Sequence, residues 1–302
     1  KVTDEDGNTV DEWVSKEEAH IIKGLIVGKK YKMTETKPAD GYVTAESIEF
    51  TVENTKEVQK HQMLDDVTKV EISKKDITDS SEVPGAKLII LDKDGKKVES
   101  WTSTDKPHMV EKLPVGEYTL REEQAPDGYL IAEDVKFTVK DTGKVQKVKM
   151  KDAHPYGKLV IKKTDSTSKA ALSGAEFELR EKESGKVVEK LVTDKTGTAT
   201  SGKIPIATYK NGKVEKTVEY ILVETKAPNG YELSSKKEEI RFEYKDGKTK
   251  VIEIVKEIKN TKSPSGSTPT GNSPKTGDST NIWLPILLAV LSACGIGGVI
   301  WY

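Results

Sequence analysis

The residues best placed to do chemistry are three glutamates, each opening a near-identical eight-residue box. The copies read Glu35-Thr36-Lys37-Pro38-Ala39-Asp40-Gly41-Tyr42, Glu122-Glu123-Gln124-Ala125-Pro126-Asp127-Gly128-Tyr129 and Glu224-Thr225-Lys226-Ala227-Pro228-Asn229-Gly230-Tyr231. In each copy a strand ends in a glutamate, a Pro/Gly turn follows and a new strand begins, which marks a repeat protein. The plainer reading is a solvated charge at a strand end, since lone glutamates are mostly exposed. Other chemistry finds little support. The single cysteine, Cys294, lies in a C-terminal apolar run, so no disulfide can form within the soluble part. His20, His61, His108 and His154 lack metal-ligand spacing, and Gly95 and Gly212 belong to turns rather than a phosphate loop. No nucleophile–base pair suggests turnover, and no metal or cofactor is expected.

The boxes must be held by strands. Alternating runs precede them (Tyr31–Thr34, Tyr118–Arg121, Tyr220–Val223) and follow them (Ile48–Val52, Val135–Val139, Ile240–Tyr244). A repeat separated by turn signals predicts an all-β chain of tandem small antiparallel β-sandwiches, Ig-like or prealbumin-like. Hydrophobic residues make up 34% and charged ones 33%, which favours thin-cored modules over one enzyme core. A net charge of −1 gives no reason to expect a nucleic-acid partner.

The expected domains are residues 1–67, 68–154 and 156–261. The first lacks counterparts of Val70–Asp76 and Pro84–Leu91 and so reads as truncated. The third carries an extra hairpin at Tyr209-Lys210-Asn211-Gly212-Lys213. Trp13 and Trp101, which follow equivalent turns, are expected in the cores, and the box tyrosines are expected to pack rather than react. Residues 262–272 are a Ser/Pro/Gly/Thr linker, expected to be disordered. Residues 273–302 hold Ser273-Pro274-Lys275-Thr276-Gly277 and then an uncharged run, 282–302, long enough for one transmembrane helix with Trp283, Trp301 and Tyr302 near its ends. With no signal peptide before Lys1, the sequence reads as a fragment or a mature chain.

The tandem Glu-x-x-Ala-Pro-x-Gly-Tyr boxes, with Gly-Ala-x-Leu/Phe strands upstream, resemble the Cna protein B-type or SpaA-type prealbumin-like domains of Gram-positive surface proteins and pilins. The tail resembles a sortase sorting signal, with Ser273 where leucine is expected and no basic residue after Tyr302. The resemblance implies a self-formed amide between a first-strand lysine and a last-strand Asn or Asp. It places these at Lys74 with Asp152 and Lys163 with Asn260, and makes Glu122 and Glu224 the proton shuttles. In the first repeat Glu35 and Asp65 match, with Asp66 as an alternative to Asp65, but the lysine strand is absent.

The chemistry accounts for those residue types. Burial pushes lysine toward its neutral, nucleophilic amine and glutamate toward its acid form. Neighbouring strands hold amine and carbonyl in near-attack geometry. The plainer alternative is a buried Lys–Asp ion pair that never reacts. The resemblance also implies sortase cleavage between Thr276 and Gly277 and attachment of Thr276 to peptidoglycan. The alternative is an ordinary linker before a helix that stays in the membrane.

The expected protein is therefore a secreted, wall-anchored stalk or adhesin segment. It is not an enzyme beyond a single self-modification. Its expected partners are sortase, peptidoglycan, transiently the membrane, and a host or matrix ligand bound by an N-terminal region outside this sequence. A sortase-assembled pilin subunit is the second possibility, although His154-Pro155-Tyr156-Gly157-Lys158 does not match a pilin lysine motif.

Overall fold

The computed structural model describes residues 1–264, which form strands, turns and connecting segments without a helix. Among the described residues, no helix is long and apolar enough to cross a membrane. The sorting motif Ser273–Gly277 and the apolar run 282–302 lie outside them, as does most of the linker.

The first repeat forms one antiparallel sheet from β1 (Val2–Thr3), β2 (Thr9–Asp11), β3 (Lys30–Met33) and β4 (Ile48–Thr51), in the order β2-β1-β3-β4. The second repeat is a complete sandwich. Its strands are β5 (Lys69–Asp76), β6 (Lys87–Asp92), β7 (Lys97–Thr102), β8 (His108–Glu111), β9 (Gly116–Gln124), β10 (Val135–Val139) and β11 (Val145–Asp152). They form two sheets, β10-β9-β6-β7 and β11-β5-β8. Period-two alternation turns one set of side chains inward, so that Val70, Ile72, Leu88, Ile90, Leu120 and Met150 fill the space between the sheets. Each such burial stabilises the fold by roughly 1.5–3 kcal/mol.

The third repeat contains β12 (Tyr156–Asp165), β13 (Glu176–Glu181), β14 (Val187–Val192), β15 (Thr198–Thr200), β16 (Ile204–Pro205), β17 (Ala207–Lys210), β18 (Lys213–Thr217), β19 (Glu219–Lys226), β20 (Lys237–Arg241) and β21 (Val251–Asn260). One sheet runs β14-β13-β19-β20, and in the other β12 pairs with β15, β16 and β21. The inserted hairpin is β17–β18, turned by Asn211 and Gly212 at φ values of 52° and 69°. Two successive positive φ angles are what a tight turn matched to strand twist requires.

Two expectations need correction. The sandwiches are not wholly antiparallel: β11 runs parallel to β5, and β21 parallel to β12. First and last strands are joined through the whole domain rather than by a hairpin, and only a long connection permits parallel neighbours. The tryptophans are half-buried rather than central. Trp101 lies on edge strand β7 and stacks on His108 at 4.4 Å between ring centroids, as Trp13 stacks on His20 at 4.3 Å.

The inserted hairpin reaches the second repeat. The Tyr209 hydroxyl donates to the Gly128 carbonyl at 2.8 Å, and its ring stacks on His154. Val83, Ala125 and Tyr129 form a small apolar cluster against Tyr209 and Ile131. Two further bonds join these repeats, Tyr244 Oη to Tyr129 O (3.1 Å) and Ile131 N to Gly247 O (2.8 Å).

Candidate cross-linking sites

The parallel pairing brings the chain's lysines to its Asx residues. On β5 and β11, Asp76 lies opposite Asp152 and Lys74 opposite Met150. On β12 and β21, Asp165 lies opposite Asn260 and Lys163 opposite Ile258. Each lysine must therefore reach two residues along the neighbouring strand, about 6.6 Å, which its four-carbon stem can span. The glutamates arrive from the facing sheet, Glu122 on β9 and Glu224 on β19.

In the second repeat Lys74 and Asp152 are 2% and 0% exposed, values far outside the usual range for charged residues. Lys74 Nζ lies 3.0 Å from Glu122 Oε2 and contacts Asp152 Oδ1. In the third repeat Lys163 Nζ lies 3.0 Å from Glu224 Oε1 and contacts Asn260 Oδ1. The Asn260 amide donates to both Glu224 oxygens, at 3.0 and 3.1 Å. One carboxyl group thus touches both the Lys163 amine and the Asn260 amide nitrogen.

Burial, opposed by Glu224, holds the Lys163 amine below its ordinary pKa. Burial also pushes Asp152 up to about 7; the Lys74 ammonium opposes the rise and neighbouring Glu122 reinforces it. Among the described residues Glu122 Oε1 and Asp152 Oδ2 have no hydrogen-bond partner. At the third-repeat site Glu224 is placed to pass a proton between the Lys163 amine and the Asn260 nitrogen without solvent. Among the described residues no group of His, Cys, Asp and Glu could hold a metal ion.

The SpaA family, described as a prealbumin-like fold domain, matches residues 1–66, 68–154 and 157–258. The chain belongs to this family. The Bacillus anthracis TIE protein is similar in structure, with 23% identity and a TM-score of 0.50 over 78% of this chain and 42% of that one. The chain thus spans less than half the length of that relative. A streptococcal ancillary pilin shares 18% identity with a TM-score of 0.30 over 79% of this chain and 76% of its own. The major pilin SpaD of Corynebacterium diphtheriae shares 15% identity with a TM-score of 0.29 over 65% and 98%. At these identities the TIE likeness concerns the fold alone. No curated protein matches the chain.

Within the SpaA repeats the box glutamate has one constant bond. Glu35, Glu122 and Glu224 each accept the backbone N–H ten residues on, from Ala45, Ala132 and Ser234 at 2.7, 2.7 and 2.9 Å. A second recurrent bond aligns the acceptors: Val43 N to Asp66 O, Leu130 N to Ala153 O, and Glu232 N to Thr261 O. It sets Asp65, rather than Asp66, level with Asp152 and Asn260. Asp65 is exposed, however, and among the described residues no hydrogen bond joins it to half-buried Glu35. Asp66 instead pairs with Lys69 at 2.8 Å.

The box tyrosines do more than pack. Tyr129 Oη donates to Asp76 Oδ2 at 2.7 Å and Tyr231 Oη to Asp165 Oδ2 at 2.9 Å. Both aspartates are buried. Sequence reasoning passed over them, although an aspartate stands two residues after each lysine, in Lys74-Lys75-Asp76 and Lys163-Thr164-Asp165.

Proposed function

We propose that this SpaA-family chain is a stalk segment of a Gram-positive surface protein. Its second and third repeats close themselves with Lys74–Asp152 and Lys163–Asn260 amide bonds. The observation that carries this reading is the duplicated Lys–Glu–Asx triad, buried in each complete repeat and linking first strand to last. In the third repeat the neutral amine of Lys163 attacks Cγ of Asn260. Glu224 takes the amine proton and returns one to the departing nitrogen, so that a C–N bond forms, another breaks and ammonia leaves. In the second repeat the same sequence breaks the C–O bond of Asp152 and releases water. A tie of this span adds roughly 4–5 kcal/mol in the chain-entropy treatment of cross-links.

Intact mass decides the matter. The chain is expected about 35 Da below its sequence mass, from about 18 Da for Lys74–Asp152 and about 17 Da for Lys163–Asn260. Glu122→Ala and Glu224→Ala each restore one loss. A wild-type chain at full sequence mass overturns the reading.

At its C-terminus the same proposal has sortase cut between Thr276 and Gly277 and join Thr276 to peptidoglycan. The support is Pro274-Lys275-Thr276-Gly277 between a Ser/Pro linker and an apolar run. Thr276→Ala should abolish the covalent wall-bound fraction; retention of that fraction argues for another anchor.

A further inference from the structure

Asp76 and Asp165 sit where three chain segments must be brought together. Each ends the strand that carries the lysine and lies directly opposite the proposed acceptor, Asp76 across from Asp152 and Asp165 across from Asn260. Each also shapes the turn that follows it. Asp76 Oδ1 accepts the Thr78 N–H at 2.7 Å, while Asp165 Oδ1 accepts those of Thr167 and Ser168 at 2.8 and 2.7 Å. That turn aims its first N–H at the acceptor residue's own carbonyl: Ile77 N to Asp152 O at 3.0 Å and Ser166 N to Asn260 O at 2.9 Å. The other oxygen of each aspartate receives the box tyrosine, seven residues after the glutamate.

We propose that Asp76 with Tyr129, and Asp165 with Tyr231, are positioning pairs for amide formation. Through one carboxylate, each pair fixes the lysine strand, the acceptor's backbone and the glutamate box in a single arrangement. The proposal rests on the cross-linking reading above. Neither aspartate touches the reacting amine, and neither tyrosine carries a proton to it. Their contribution is geometric, and geometry is what an acyl substitution between weak partners needs beside the glutamate's proton transfer. The arrangement occurs in both complete repeats, in two different sequence settings. In the second, His154 Nε2 also bonds Asp76 Oδ2 at 2.9 Å. In the third, two backbone N–H groups reach Asp165 Oδ1 where one reaches Asp76 Oδ1. Burial pushes Asp76 up, yet bonds from Thr78, Tyr129 and His154 outweigh it and hold the carboxyl well below its usual range. Asp165 is held low by Ser168, Thr167 and Tyr231. Both remain anions able to accept every one of these bonds at neutral pH.

The test uses the full chain, freshly translated, with each repeat as control for the other. Tyr129→Phe keeps the ring and removes the hydroxyl. It should slow the 18 Da loss of the second repeat by about ten- to a hundredfold, since misplacement by an ångström can cost about a hundredfold, and leave the 17 Da loss of the third at the wild-type rate. Tyr231→Phe should do the reverse. The pH profile of the slowed step should keep its shape, because the glutamate that moves the proton is intact; a purely structural loss does not slow a step measured in chains still folded by circular dichroism. If Tyr129→Phe unfolds the second repeat, Tyr231→Phe carries the test alone. Wild-type rates in folded variants overturn the positioning role. Absence of any mass loss in the wild-type chain overturns the cross-linking reading instead.

Discussion

Asp152 and Asn260 occupy equivalent places yet should give their two steps different pH dependences. Amide formation at Asp152 needs a carboxylic acid, so that water rather than oxide departs. With its pKa raised to about 7, that acid form is lost as pH rises through neutrality. Asn260 has no such requirement. Burial lowers the Lys163 pKa, so its reactive neutral amine becomes more abundant as pH rises. Relative to the 17 Da loss, the 18 Da loss should therefore slow about fivefold between pH about 7 and about 8, because both steps need a neutral lysine and only the second-repeat step also needs the acid form. Timed high-resolution mass spectra of the same chain separate the two steps, and parallel pH profiles would contradict the assignment. The glutamates stood out in the sequence as the recurring opening of a box, whereas Lys74, Lys163, Asp152 and Asn260 were placed only by the family resemblance. The Tyr–Asp pairs were not legible, because their bonds span 53 and 66 residues and leave no local pattern.

At the scale of elements, strands and turns were readable from alternation and from Gly and Pro signals. The hairpin was readable from Asn211-Gly212. Which strands would pair was less accessible: the parallel β5–β11 match joins the two ends of a repeat, and no neighbouring residue announces it. The docking of β17–β18 was equally hidden, since Tyr209 looks like any strand tyrosine until Gly128 lies beneath it. Gly128 has φ +88°, and a Cβ there would strike Val214 of the hairpin. Gly230, its counterpart in the third box, has φ +80° and no described atom within 4 Å of that point. Gly230→Ala should cost only the left-handed backbone penalty, about 1–2 kcal/mol. Gly128→Ala should cost about 1–3 kcal/mol more, with the hairpin displaced. Calorimetric unfolding compares the two, and equal losses would remove the hairpin from any role in joining the repeats.

Over the whole molecule, the proposed amides change the path taken by force. Tension entering the second repeat along β5 would cross at Lys74 to Asp152 and continue through Ala153 to β12, bypassing residues 75–151. The third repeat repeats this arrangement from Lys163 to Asn260. Under single-molecule pulling, neither repeat should lengthen in the wild-type chain. Glu122→Ala should release one unfolding step whose length matches the freed residues of the second repeat, at about 3.5 Å each. An identical step in the wild-type chain would show that force does not pass through the amide.

The parallel closing strands also alter what a protease can accomplish. Lys96 is exposed in the turn between β6 and β7, within the segment enclosed by Lys74 and Asp152. Cutting an ordinary chain there yields two separable pieces. Cutting this one, once the amide has formed, yields a branched polypeptide with an extra amino and carboxyl end, still a single molecule after boiling in detergent. On a denaturing gel, trypsin-nicked wild-type protein should stay in one band where Glu122→Ala falls into two. A surface stalk built this way keeps both its neighbours attached after its backbone has been severed.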